Sequence, residues 1–139
     1  MADFSDVKDV LSRCSVAVLA TASSSGIPEA SNIEFVSDLK DIYFVTQTSA
    51  RKYKNILENP RGCLVLTQIP QAIQIDGEIR PLEKNYVQIV AQNMSARLGQ
   101  SPNLYKNERW KFFRFIPGNV IYSQYPKLPS GFQKFENSE

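Results

Sequence analysis

Between Ser15 and Thr48 the chain alternates three strand-like segments with two short punctuations, and this rhythm limits the folds open to it. SVAVLATA is rich in valine and small residues, and SSSGIP then supplies Gly26 and Pro28 as turn residues. EASNIEFVS resumes extended, SDLKD turns again, and DIYFVTQT runs as a third strand. Strands this close in sequence leave no room for a crossover helix. They predict an antiparallel meander and argue against a doubly wound nucleotide-binding sheet.

Two further strands follow, RGCLVLTQI and AIQIDGEIRPL, separated near Pro70. In the second, Ile73, Ile75 and Ile79 alternate with polar residues except at Gly77, which predicts a bulge or a close backbone approach. WKFFRFIPGNVIYSQY reads as two strands around Pro117-Gly118. Three segments carry helical spacing instead. DFSDVKDVLSRC places Phe4, Val7, Leu11 and Cys14 on one face, with Asp3 or Ser5 as cap. TSARKYKNILENP sets Tyr53, Ile56 and Leu57 three and four apart, with Ser49 as the predicted cap and Asn59-Pro60 as the stop. From Glu83 to Leu98, Tyr86, Val90, Met94 and Leu98 step by four, Ile89 and Ala91 flank them, and Gly99 ends the helix. The inventory is about seven strands and three helices. It predicts an α+β, mostly β fold, either a sheet with flanking helices or a small antiparallel barrel with helices over its openings. The 139 residues form one domain, with the first helix inside residues 1–14 and a polar tail over 126–139.

The chain contains no histidine. That removes Ser-His-Asp and Cys-His catalysis, His-ligated zinc and proximal-His haem together. Chemistry, if any, then belongs to a bound cofactor. Two cysteines, Cys14 and Cys63, exclude a multi-disulfide scaffold and read as small core residues. The N-terminus carries acids where a signal peptide carries bases, and no apolar run approaches the ~20 residues that span a bilayer. A cytoplasmic, membrane-free protein is expected. The net charge of +2 is unevenly spread: residues 1–41 hold three basic against seven acidic side chains, the rest thirteen against seven. A local basic site of that kind suits a small anion better than nucleic acid, which needs a continuous stripe.

The most informative stretch is TQTSARKYK, Thr46 to Lys54. With Ser49 as cap, Arg51 and Lys52 fall in the first turn of a helix, where unpaired N–H groups and the macrodipole disfavour cations by a few tenths to ~1 kcal/mol each. An anion that gathers both side chains and the amides would reverse that cost. A phosphate monoester fits, with Arg51 binding in two-pronged fashion, Lys52 as a point charge, and Thr46 or Ser49 through hydroxyls. Spacing alone leaves the alternative open, a solvated basic turn. No glycine-rich phosphate loop is present.

Taken together, LATASSSGIPEAS, IYFVTQTSARKYKNILENPR and IQIDGEIRPL resemble the FMN-binding split-barrel family typified by pyridoxamine 5′-phosphate oxidase, and within it the short general-stress-protein branch. The resemblance spans Val16 to Leu82. It implies a homodimer of six- or seven-stranded split barrels with FMN at the subunit interface and a small-molecule substrate. By the same resemblance, Arg51-Lys52 grip the FMN phosphate, Thr46 and Val45 contact the cofactor, and Ser31, Asn32 and Ile33 run along the flavin edge. Departures are equally specific. The oxidase has a basic residue at each end of the return-strand motif, where Ala30 and Phe35 stand here; Ser123 replaces its flavin-contacting Trp, and its Arg-Leu-His segment has no counterpart. FMN binding survives these changes better than pyridoxamine phosphate oxidation does. The implied activity is an FMN-dependent oxidoreductase acting by hydride transfer. The alternatives are a non-catalytic flavin-binding or sensing module, and a deazaflavin-dependent reductase of the same fold.

Other residues have simpler readings. Trp110, Phe112, Phe113 and Phe115 alternate as core and subunit surface rather than as a stacking platform. Asp76 and Glu78 fit a solvated strand face better than an acid–base pair, and Lys106, Arg109, Lys111 and Arg114 a solvated rim. Tyr122 and Tyr125 are weaker candidates for a substrate pocket.

Overall fold

The computed structural model describes residues 7–38, 40–68 and 70–124. The expected caps Asp3 and Ser5, the core position Phe4, Tyr125 and the polar tail lie outside them. Three helices and six strands follow in the order α1 (Lys8–Arg13), β1 (Val16–Ala22), β2 (Pro28–Ser37), β3 (Ile42–Gln47), α2 (Arg51–Glu58), β4 (Arg61–Gln68), β5 (Gln71–Pro81), α3 (Lys84–Leu98) and β6 (Trp110–Gln124). A 3-10 turn, Pro102–Tyr105, leads into β6.

The strands close into an antiparallel barrel in the order β1-β2-β3-β6-β5-β4. The expected meander is β1-β2-β3, and β4-β5 forms the second hairpin. The barrel has six strands because the chain around Pro117-Gly118 does not break. β6 pairs with β3 over Trp110–Phe115 and with β5 as far as Gln124. Pro117 lies beyond the last β3 partner, where one edge of β6 is open and a missing N–H leaves no ladder bond unmade. Opposite it the β5 register shifts between Ile75 and Gly77. Gly77 is not itself the bulge, since it keeps its register with Gly62 and Pro117 while Asp76 faces two residues of β6; it is the close approach that its position predicts, for a Cβ there would meet the Ile116 carbonyl and, at 2.8 Å, the Phe115 ring.

Alternation along the strands sends Leu19, Phe35, Phe44, Leu64, Ile75 and Phe115 into a fully buried interior. Val7, Val10 and Leu11 of the α1 region and Ile56 of α2 join that interior, so the two short helices close the barrel. Val7, not an acidic or hydroxyl residue, stands at the cap position of α1, and its side chain makes no cap. α3 packs outside, on Val36, Val45 and Phe112, through Val90, Ala91 and Met94. Its buried stripe is therefore shifted from the expected one. Ile89 and Tyr86 are exposed. Gly99 ends α3 in the left-handed conformation, φ 69°.

Candidate functional site

Pairing between β2 and β3 is limited to three residue pairs, Phe35–Phe44, Val36–Tyr43 and Ser37–Ile42. Past Phe35 and Phe44 the strands part, and each leaves a backbone edge without a ladder partner on that side. The opening is a groove of about 480 Å³. Asn32, Ile33 and Glu34 form one bank, Val45, Thr46 and Gln47 the other, and Ala50 and Lys52 close its head. Val16 and Trp110 flank it.

The head of the groove is the start of α2. Ala50 stands at the cap position, and among the described residues no side chain satisfies the first amides. Sequence spacing predicts Ser49 as cap, but the helix begins one residue later. Ser49 is exposed, its hydroxyl 3.5 Å from Gln47 Oε1, and it does not line the groove. Arg51 and Lys52 consequently occupy the first two helical positions, and the first turn holds no acid. The two cations diverge. Lys52 lines the groove and its Nζ donates to Ser31 Oγ at 3.1 Å, although Ser31 does not itself line it. Arg51 reaches Glu29 instead, Nε to Oε2 3.6 Å, with 72% of its side chain exposed. It lines a separate cavity of about 380 Å³ with Ser23, Ser24, Ser25 and Lys54. The other carboxylate oxygen of Glu29 is buried with no hydrogen-bond partner among the described residues.

Of the eight residues singled out by sequence, Asn32, Ile33, Val45, Thr46 and Lys52 therefore come together, and Ser31 joins them through Lys52. Arg51 and Ser49 stand apart. Thr46 is buried, and its hydroxyl contacts Gln47 O at 3.4 Å. Val16, Glu34, Gln47, Ala50 and Trp110 also line the groove and are not among the residues that the sequence singles out. Strand alternation carries the signal for two of them, since Glu34 follows Asn32 and Gln47 follows Val45 on the same faces. Trp110 is brought in by its pairing with Gln47.

The other sequence candidates fall mainly to structural roles. Phe113 and Phe115 fill the barrel and Phe112 the α3 layer. Asp76 Oδ1 accepts from Asn119 N–H at 2.8 Å beside the bulge, while Glu78 pairs with Arg80 on the surface. Arg114 is no solvated rim residue: it binds Asp41 at 3.0 Å and Glu83 at 2.8 Å. Cys14 and Cys63 are free and half-buried, and burial pushes the Cys63 thiol up.

A family model, Pyridoxamine 5'-phosphate oxidase, matches residues 5–117. The chain belongs to this family. Among curated proteins no sequence match is found. Solved structures share the fold at low identity. One is a Clostridium acetobutylicum protein related to general stress protein 26 of B. subtilis, 14% identical, TM-score 0.67, covering 86% of each chain. The haem storage protein HutZ of Vibrio cholerae is 19% identical, TM-score 0.72, over 87% of this chain and 94% of that one. An F420 reductase is 16% identical, TM-score 0.69, over 87% and 98%. The fold is thus shared by proteins described by different ligands.

Proposed function

We propose that the chain binds FMN in the groove between β2 and β3 and acts as a flavin-dependent oxidoreductase on a small molecule. The observation that carries the reading is the convergence of Lys52 and the uncapped first turn of α2 at one end of two parted strand edges. A phosphate at the helix end would satisfy amides and offset the misplaced cation. The edges of Asn32–Glu34 and Val45–Gln47 carry spaced N–H and C=O groups, matching the donor and acceptor pattern of a flavin pyrimidine. The groove volume lies within the usual range for small-ligand sites, ~300–1,000 Å³. Bound FMN would supply hydride acceptance at N5, while the residues of the chain hold, orient and screen it. The chain offers no histidine to a haem iron, which separates it from a His-ligated haem site.

A homodimer is the second part of the proposal, with the cofactor between subunits. Val16, on the flank of the groove, is 48% exposed, and Val18 beside it 37%, so an apolar surface adjoins the site. Free thiols suit a reducing, cytoplasmic setting.

One observation favours the non-catalytic reading. Phe35 is fully buried in the barrel, so this position offers no side chain to a substrate. Turnover distinguishes the readings. The purified protein should be yellow or take up added FMN, and a nicotinamide donor should bleach it. Bound flavin that accepts no electrons would identify a binding module, and a protein that refuses FMN but takes up a deazaflavin would identify the third alternative. Lys52→Ala should weaken FMN by about tenfold or more, the scale of one charge-assisted hydrogen bond, and leave riboflavin within about twofold. A colourless protein that takes up no FMN would overturn the proposal.

A further inference from the structure

A second pair of cavities lies on the other side of Trp110. One, of about 420 Å³, opens between α2, the end of β5 and the start of β6; the other, of about 520 Å³, between α3 and the 3-10 turn. They share Lys84, Val87 and Tyr105, so they meet as one cleft. Its walls are aromatic. Tyr105 packs edge-on to Trp110 and Phe112, with centroids 5.5 Å apart in each pair, and Tyr53 and Leu57 face them from α2.

Its rim is cationic. Lys84 and Lys111 line the first cavity, and Lys84 and Lys106 the second. Among the described residues no carboxylate lines either one. Lys84, Lys106 and Lys111 are exposed, so their ammonium groups stay hydrated at the mouth of the cleft, within reach of an anion docked on its apolar walls. Lys84 is the first residue of α3, and the carboxylate of Glu83 at the cap position is turned to Arg114, 2.8 Å away, rather than lining the cleft. Burial raises the Tyr105 hydroxyl, with Glu34 adding to it, so this wall stays neutral. Aromatic faces with a positive rim suit a flat apolar body carrying one negative group. Three lysines around a short cleft do not suit a polyanion, which needs an extended track.

We propose that this cleft binds a planar aromatic carboxylate, its ring against Tyr105, Trp110 and Phe112 and its carboxylate among Lys84, Lys106 and Lys111. The site is separate from the β2–β3 groove, and the inference stands whether or not that groove holds flavin. The two share Trp110, the single tryptophan of the chain. Ligand in the cleft therefore changes tryptophan emission.

The test is calorimetric titration of the full-length protein, as purified, with 2-naphthoate and with neutral 2-naphthalenemethanol. The expected result is one saturable naphthoate site, with the alcohol at least about tenfold weaker, the scale for loss of a hydrogen bond to a charged group. Lys84→Gln/Lys111→Gln should weaken naphthoate at least about tenfold. Lys8→Gln/Arg61→Gln removes the same charge elsewhere and should leave it unchanged. Val87→Trp, which fills the cleft, should abolish binding while the unfolding midpoint stays close to that of the parent. Equal affinity for acid and alcohol, indifference to the lysine substitutions, or complete displacement of naphthoate by FMN would each overturn the inference.

Discussion

Glu29 is the residue that most alters what the groove can do. It holds Arg51 at 3.6 Å, and its second oxygen is buried without a partner among the described residues. An anion docking at the start of α2 therefore meets a carboxylate nearby and only one of the two cations. Partly exposed ion pairs are worth under ~1 kcal/mol, so Glu29→Gln should release Arg51 and tighten FMN by about two- to fivefold, with riboflavin unaffected. A parallel titration of both ligands against both proteins measures this, and weaker FMN binding in the variant would show that Glu29 supports the site. The Arg51-Lys52 pair is legible from spacing, but the divergence is not, because it depends on which β2 side chain lies under each. Gly77 is the opposite case. Its interruption of an alternating strand marks it, and the reason is local: a Cβ would strike the Ile116 backbone and the Phe115 ring. Gly77→Ala should lower stability by about 1–3 kcal/mol, the usual cost of overpacking, in urea unfolding.

At the scale of elements, Arg114 joins three pieces of the fold. From β6 it reaches Asp41 at the start of β3 and Glu83 at the start of α3, and its guanidinium lies 5.7 Å from the Tyr43 ring centroid and 5.5 Å from that of Tyr86. This explains why Tyr86 sits outside the α3 core: it packs on a cation. Such a clamp is invisible in a sequence, since its four partners are far apart and each reads as an ordinary surface residue. Arg114→Met should cost about 1–3 kcal/mol, below the ~3–5 for a fully buried pair, because Asp41 is buried while Glu83 faces solvent. The neighbouring turn adds a pH dependence. Burial alone would raise Asp38, but the Tyr43 hydroxyl, the Asp41 and Lys40 N–H groups and the Arg114 charge outweigh it and hold the carboxyl below its usual value. A depressed carboxyl contributes stability above the unfolded-state value near pH 4, and loses it as pH falls through the folded value. Stability measured from pH 6 down to 2 should therefore fall less steeply in Asp38→Asn than in the parent. Identical slopes would remove Asp38 from the acid response.

For the whole molecule, the meander, the β4-β5 hairpin and the three helices were legible because each is fixed by local alternation, turn residues and spacing. The closure of β1 on β4 and the parting of β2 from β3 were not, because they depend on how far non-adjacent strands stay in register. Register also creates a surface that no single strand announces. Asn32 pairs with Val18, Val18 with Val65, Val65 with Gln74, and Gln74 with Ile121, so one outward row crosses β2, β1, β4, β5 and β6. Val18 is 37% and Ile121 50% exposed, with Val16 beside them, and the helices pack elsewhere. Scattered exposed valines are ordinary, whereas a row running from a ligand groove is a surface suited to a second copy of the chain. If a partner subunit walls the groove here, assembly and cofactor binding must rise and fall together. Val18→Lys places a charge in the middle of the row without touching Lys52 or the α2 amides. Sedimentation velocity should give a dimer for the parent and a monomer for the variant at the same micromolar concentration. FMN should bind the variant at least about tenfold more weakly, since a free subunit leaves one side of the ring in water. A parent that sediments as a monomer yet holds FMN tightly would separate the two and leave the groove complete within one chain.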